Sequence, residues 1–398
     1  MRVQELRITP IDSGQRGLVK VIFEMGSTTH EIYFKSDNAA LTANAEAFIA
    51  LALVPCMKRG ISLAVNGEVS QKFLDAIEII SDIYQAWETG FRKVEIKNVI
   101  PIKRSSPETG RSAAFFSGGV DSFFTLLKHR TEITDLIFLH GYDIGLQKNA
   151  LRNRVSETVR QIASDLGKNV IEIETNLRSF LSFHEVDWEK LGHGPALVSV
   201  GLLLSPMLTR IYISSSLTYG VLYPGGTHPF LDPLWSTEGL QFVHDGCEAT
   251  RVTKAKMISQ YDLALKSLRV CWENPHGAYN CGVCEKCIRT MINLLAAGSL
   301  DRCTTFDAEL DPKRVARIRL EGEAQCALAM QNLRALESRQ TDREIYYALR
   351  KAVTRAQRRE ALRRCAIALF PRVHQGLLWL DRSARRIYRT LKFLFVIH

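Results

Sequence analysis

The middle of this sequence predicts an α/β fold, a parallel sheet with helices on both faces, flanked by an N-terminal α+β region and a helical C-terminal extension. Three observations carry that expectation. From Arg111 onward, short apolar runs alternate with amphipathic stretches in the order strand, helix, strand, helix, as a parallel sheet covered on both faces requires. Before it, Leu18-Val19-Lys20-Val21-Ile22-Phe23-Glu24 and His30-Glu31-Ile32-Tyr33-Phe34 alternate around Gly26-Ser27-Thr28-Thr29, the pattern of a β-hairpin. After about Pro312 the pattern is helical with few turn signals until Pro371.

The elements follow in order. A helix over 44–53, a strand over 61–65, a helix over 70–87 and a strand over 94–99 complete a separate small domain, 1–105. The polar stretch Lys103-Arg104-Ser105-Ser106-Pro107-Glu108-Thr109-Gly110 reads as its linker. The central domain, 111–298, has predicted strands at 112–116, 135–141, 169–174, 210–215 and 240–244, with helices at 121–129, 150–166 and 195–207. Residues 299–398 form the basic helical region.

The sharpest local signal is Ser117-Gly118-Gly119-Val120-Asp121-Ser122, between the apolar run Ala113-Ala114-Phe115-Phe116 and the helix-forming Phe123-Phe124-Thr125-Leu126-Leu127. A buried strand that turns over two glycines into a helix makes an anion site. Glycine lets the backbone approach a phosphate, and the first N–H groups of the helix have no internal partner. Ser117 and Ser122 offer hydroxyl donors, and Asp121 suits a magnesium ion bridging phosphate oxygens. The spacing matches neither G-x-x-x-x-G-K-[ST] nor G-x-G-x-x-G. The plainer reading is an ordinary Gly-Gly turn with an Asp-Ser cap.

Ligands of open parallel sheets sit beyond the carboxyl ends of the strands. The expected lining therefore includes His140, Gly141, Tyr142 and Asp143; Thr175 and Asn176; Ser214, Ser215 and Ser216; and His244 and Asp245. The long stretch 218–238 carries Tyr219, Asp232, Trp235 and Glu238. With Ser216, these are the candidate acceptor-binding residues: aromatics to stack on a flat ring, carboxylates to hold magnesium or an amine. Lys254 lies in the first turn of a helix that Thr253 is expected to cap, within reach of a triphosphate.

Cys271, Cys281, Cys284 and Cys287 have the spacing C-x9-C-x2-C-x2-C. Two-residue gaps let thiolates converge on one tetrahedral ion, and four ligands make a closed, structural zinc site. An iron–sulfur cluster and unliganded core cysteines are the other readings, and His276 could replace one ligand. Cys56, Cys247, Cys303, Cys326 and Cys365 read as ordinary buried thiols.

At 46% hydrophobic and 24% charged residues, the composition is that of a globular protein and excludes a disordered or fibrous chain. The net charge of +10 belongs to the tail: from Arg339 onward 15 Lys/Arg stand against 4 Asp/Glu. There Gly376-Leu377-Leu378-Trp379-Leu380 precedes Arg382, Arg385, Arg386, Arg389 and Lys392, a basic amphipathic pattern. It suits docking on the core, an RNA or acidic partner, or an anionic membrane surface. Met1-Arg2-Val3-Gln4-Glu5-Leu6 has no secretory pattern, and no run of about 18 apolar residues occurs. The expectation is a cytoplasmic protein whose clustered cysteines bind metal rather than form disulfides.

The hexapeptide resembles the PP-loop of the ATP pyrophosphatase superfamily. A PP-loop about 150 residues before a four-cysteine knuckle is similar to the 7-cyano-7-deazaguanine synthase family. Val252-Thr253-Lys254-Ala255-Lys256 resembles that family's Leu-Thr-Lys-Ala-Glu segment, and Ile213-Ser214-Ser215-Ser216 falls where its purine-site loop begins. Where the family carries Asn-Arg-Asn, this chain has Leu191-Gly192-His193-Gly194-Pro195-Ala196. The resemblance covers 111–298 and implies an adenine nucleotide alpha hydrolase-like fold with ATP, Mg2+ and Zn2+ as cofactors. It implies ATP or pyrophosphate at Ser117, Gly118, Gly119, Val120, Asp121, Ser122, His140 and Gly141, with Asp121 and Lys254 catalytic. The implied reaction adenylates a carboxylate or amide oxygen of a small-molecule acceptor, releases pyrophosphate, and transfers ammonia or an amine. A tRNA-modifying PP-loop enzyme, thiolating or amidating a base with the tail on RNA, and a non-catalytic nucleotide-binding module are the alternatives.

Overall fold

In the computed structural model, which describes residues 5–11, 14–105, 110–339 and 342–369, the first hundred residues adopt the periods their patterns predict. Strands β1 (Glu5–Ile11), β2 (Leu18–Met25) and β3 (Thr28–Lys35) form an antiparallel meander. Helix α1 (Ala45–Arg59), strand β4 (Ser62–Ser70), helix α2 (Gln71–Trp87) and strand β5 (Ile96–Ile102) follow. Asn44 caps α1 by accepting the Ala47 N–H at 2.8 Å, and Ser70 caps α2 by accepting that of Phe73 at 3.1 Å. Every residue of α1 from Ala45 to Met57 is buried, because the helix lies inside one face of the sheet rather than on its surface.

The central segment alternates as expected: β6 (Arg111–Phe115), α3 (Val120–Lys128), β7 (Ile133–His140), α4 (Asn149–Leu166), β8 (Asn169–Thr175), α5 (Leu177–Phe183), α6 (His193–Leu203), β9 (Leu208–Ser214), β10 (Gln241–Asp245), α7 (Arg251–Ile258), α8 (Asp262–Ser267) and α9 (Glu285–Ala297). The five central strands are parallel, in the spatial order β10-β9-β6-β7-β8. The chain leaves β6 to one side for β7 and returns on its other side as β9. The carboxyl ends of β6 and β9 are therefore the topological switch point, where open α/β sheets bind ligands. Apolar side chains pack against both faces: Phe23, Phe48, Phe73, Phe180 and Trp235 on one, Phe116, Phe123, Leu136, Val159 and Leu294 on the other.

The first hundred residues are not a body set apart. β3 pairs antiparallel with β8 at Phe34–Thr175 and Lys35–Glu174, extending the sheet to ten strands, β10-β9-β6-β7-β8-β3-β2-β1-β4-β5. The join covers the β8 edge, which would otherwise offer unpaired N–H and C=O groups. Met1–Leu310 forms one compact unit and Asp311–His398 the other, so the divisions expected near 105 and 298 reduce to one, near 310.

In the second unit, α10 (Pro312–Arg317), α11 (Gly322–Arg339) and α12 (Arg343–Leu369) are helical as predicted. Arg355 of α12 donates to the carbonyls of Ala316 and Ile318 at 2.8 and 2.7 Å, closing the end of α10. The amphipathic segment 376–397 lies outside the described residues. Among those described, no helix is long and apolar enough to cross a membrane.

Candidate functional site

The strand-loop-helix expected at Ser117–Ser122 is present. Pairing continues one residue beyond β6, the Phe116 N–H donating to Ile137 O at 2.9 Å, and the chain then turns through Gly118 at φ 76°. A Cβ there would lie 3.5 Å from the Arg269 Cβ, an ordinary contact, so the left-handed backbone rather than crowding calls for glycine. The first helical bond runs from the Phe123 N–H to Gly119 O at 2.9 Å, leaving the N–H groups of Gly119, Val120, Asp121 and Ser122 without intrahelical partners. The Ser122 hydroxyl donates back to Gly119 O at 3.0 Å and so braces the turn.

Asp121 opens α3 and is the hub of the charges. Its carboxylate accepts from Arg251 Nη1 at 2.7 Å, Lys254 Nζ at 3.2 Å and Ser216 Oγ at 3.1 Å. Lys254 also donates to Ser215 O at 2.6 Å and sits 5.4 Å from the centre of the Phe124 ring. Burial alone would raise the Asp121 carboxyl; the Arg251 and Lys254 charges outweigh it and hold the group down at about 2. Both cations come from α7, whose cap is Thr250 rather than Thr253: the Thr250 Oγ1 accepts the Thr253 N–H at 3.1 Å.

Beside this hub lies a cavity of about 210 Å³. Its floor is the carboxyl ends of β6, β7 and β9, Phe115, Phe116, Phe138 and Ile213 among them; its charged wall is Asp121, Asp143, Arg251, Arg269 and Lys286, with His193. Arg269 is 3% exposed, its Nη2 donates to Cys271 O at 3.3 Å, and its Nε is buried without a hydrogen-bond partner. Its backbone N–H donates to Gly118 O at 2.8 Å, tying this arginine to the glycine loop.

Of the residues singled out in the sequence, Ser117, Gly119, Asp121, Ser122, Ser214, Ser216, Tyr142 and Asp143 line this cavity. Val120 is fully buried in the core. His140 points elsewhere: Nε2 meets Glu172 at 3.0 Å and Nδ1 accepts from Arg152 Nε at 3.2 Å, in a network beneath α4. Gly141, at φ 91°, is required because a Cβ would come 2.1 Å from Thr175 O.

The acceptor candidates of 218–238 are corrected by their surroundings. Trp235 is fully buried 5.9 Å from Phe73 of α2, a core side chain with no face left for stacking. Asp232 is fully buried and meets His244 Nδ1 at 2.7 Å and the His228 N–H at 3.2 Å. Glu238 accepts the Lys72 N–H at 3.2 Å at the start of α2, and Tyr219 is exposed on the surface. Of that set only Ser216 belongs to the cavity. Three cations were missed: Arg251, Arg269 and Lys286. Arg269 had a signal in the sequence, an arginine in the apolar run Leu268-Arg269-Val270-Cys271.

The four knuckle cysteines converge, their sulfurs all within 4.8 Å of one another. Measured pairs are 3.6 Å (Cys271–Cys281), 3.9 Å (Cys271–Cys284) and 3.9 Å (Cys281–Cys287). Four sulfurs at ~2.3 Å from a tetrahedral zinc are about 3.8 Å apart, so the set fits one zinc ion; an iron–sulfur cluster needs a wider cage. The N–H groups of Asn274 and Cys284 donate to the sulfurs of Cys271 and Cys281 at 3.3 and 3.4 Å, as thiolates require. His276 is exposed and stands outside the group. Asn280 braces the knuckle, its Oδ1 accepting from the Val270 and Cys271 N–H groups at 2.8 and 3.0 Å. The segment 268–271 is thus pinned to the glycine loop at Arg269 and to the four-cysteine set at Cys271.

Comparison with protein-family models, with curated proteins and with solved structures finds no match to this chain.

Proposed function

We propose that the cavity binds ATP with magnesium and uses it to activate an acceptor carboxylate or amide oxygen, in the manner of the 7-cyano-7-deazaguanine synthase-like PP-loop enzymes. The observation that carries this reading is the glycine loop at the sheet's switch point, opening onto a wall that contains a buried guanidinium, Arg269, whose Nε has no hydrogen-bond partner. Free N–H groups, a helix N-terminus and buried cations together suit a polyphosphate. The strand order β10-β9-β6-β7-β8 supports an adenine nucleotide alpha hydrolase-like fold.

In this scheme an acceptor oxygen attacks the α-phosphorus, the bond to the β-phosphate oxygen breaks, and pyrophosphate leaves. The oxide of the acceptor, a poor leaving group, has become part of AMP. A nitrogen nucleophile then forms its bond to the acceptor carbon, the carbon–oxygen bond breaks, and AMP departs with the electron pair. The nitrogen's proton passes to solvent. Ser117, Gly118, Gly119 and Ser122 hold the pyrophosphate end. Asp121 is a positioning residue: it fixes Lys254 and Arg251, whose charges meet the phosphates as negative charge develops. Magnesium bound with the nucleotide neutralises part of that charge. The four-cysteine set would hold a structural zinc.

The test is equilibrium binding of magnesium-ATP to the full chain and to Arg269→Gln. ATP should bind, and more than tenfold more weakly to the variant; no binding, or equal binding, refutes the proposal. A second reading, action on tRNA, draws on a groove of about 680 Å³ along α12 lined by Arg350, Lys351, Arg355, Arg358 and Arg359 beside Tyr347. It predicts RNA binding that weakens steeply with salt.

A further inference from the structure

Asp143 is the cavity's unused charge. It stands at the tip of the turn from Gly141 to Ile144, where the Gly141 N–H donates to Ile144 O at 3.2 Å. Its neighbours Tyr142 and Ile144 are buried, whereas Asp143 is exposed to the cavity and its carboxylate receives no hydrogen bond or ion pair from any described residue. Asp121, by contrast, is fully engaged by Arg251, Lys254 and Ser216.

The charged and titratable groups facing Asp143 are Lys286 of α9, Arg269 of the knuckle segment, His193 of α6 and Arg178 of α5. The Asp143 side chain is open to the cavity yet surrounded by protein on every other side; that enclosure favours the neutral acid, but the charges of Lys286 and Arg269, followed by His193 and Arg178, outweigh it and hold the carboxyl below its ordinary value. Before anything binds, the wall carries three cations, Arg251, Arg269 and Lys286, against two carboxylates, Asp121 and Asp143, and so is net cationic. Arg269, buried and with its Nε unpartnered, marks where an anion completes the site. A bound triphosphate takes up that positive charge. With Lys286 and Arg269 drawn on by the phosphates, Asp143 is then, among the described residues, the one wall carboxylate with no hydrogen bond or ion pair, and a small cation becomes its best match.

We propose that Asp143 is the docking group for the nitrogen donor, which enters as ammonium or a primary alkylammonium ion after the nucleotide has bound and gives one proton to solvent water, freeing its lone pair, before it attacks the adenylated acceptor. This rests on the nucleotide reading above and adds to it the charged form in which the donor enters, its place in the cavity and the order of binding. The N–H donors of the incoming nitrogen, four on ammonium and three on a primary alkylammonium, match a carboxylate with open lone pairs; a quaternary ammonium, having none, does not.

The test uses 13C-methylammonium, followed by NMR on the full chain with and without α,β-methylene-ATP and magnesium. The analogue cannot be cleaved between its α and β phosphates. Methylammonium should bind the nucleotide-loaded protein, at least tenfold more weakly without nucleotide, and at least tenfold more weakly to both Asp143→Asn and Asp143→Ser. Tetramethylammonium should fail to displace it. Circular dichroism confirms that each variant is folded, and two independent replacements guard against one local disturbance. No binding, unchanged binding in both variants, equal binding without nucleotide, or displacement by tetramethylammonium overturns the proposal. Displacement by added magnesium also overturns it, in favour of a metal at Asp143. If the analogue itself does not bind, the nucleotide reading falls first; if it binds and methylammonium does not, only the donor site falls.

Discussion

Replacing Asp121 with Asn removes one negative charge that two nearly dry cations depend on. The Arg251 and Lys254 side chains are 3% and 1% exposed, at 2.7 and 3.2 Å from the carboxylate. Removing one partner of a buried pair costs about 3–5 kcal/mol, because the stranded charge keeps its desolvation penalty. A second route gives a similar size: a carboxyl that drops from 3.8 to about 2 on folding contributes about 2 kcal/mol. Because the folded value is the lower one, that contribution is full above about pH 4 and is lost as pH falls through about 2. Urea unfolding at pH 7 should therefore show Asp121→Asn destabilised by about 2–5 kcal/mol, with an unchanged slope. Adding Lys254→Met removes one stranded cation, so the double variant should lose less than the two single losses combined. An Asp121→Asn protein that unfolds with the wild type, or strictly additive losses, refutes the hub.

Three further outcomes follow. Gly118→Ala puts a Cβ on a left-handed residue at a cost of about 1–2 kcal/mol, and its ATP affinity, read by calorimetry, should fall with it. Burial pushes the His244 imidazole down, but Asp232 at 2.7 Å, aided by Cys247, lifts it to about 9. That contribution, about 3 kcal/mol, is full below about pH 6.5 and lost as pH rises through about 9, so His244→Gln should flatten the alkaline decline in urea stability. Chelation of the metal should release one zinc per chain by elemental analysis. It should also weaken ATP binding, because 268–271 loses its anchor at Cys271 while still holding Gly118.

Much of the framework could be read from local pattern. The hairpin around Gly26, the helix of 70–87 and all five central strands declare themselves through period and apolar runs, and the strand-loop-helix turn at 117–122 through its glycines. What escaped is non-local. The β3–β8 join rests on two residue pairs about 140 positions apart, which no local period encodes. The loop 218–238 misled because Trp235, Asp232 and Glu238 are chemically suited to ligands, yet each is taken up by α2, His244 or Lys72. Conversely, Arg251 lies 130 positions from Asp121, and only folding brings them together. Asp143 was legible as a residue after a strand; that its carboxylate faces the cavity with no hydrogen bond or ion pair from any described residue was not.

Phosphorus NMR of the protein with magnesium-ATP, ammonium and a panel of carboxylate acceptors that includes 7-carboxy-7-deazaguanine tests the central claim most directly. The account predicts acceptor-dependent AMP and pyrophosphate, lost in Asp121→Ala while its folded spectrum is retained. ADP and phosphate in their place, or turnover undiminished in that variant, would contradict it.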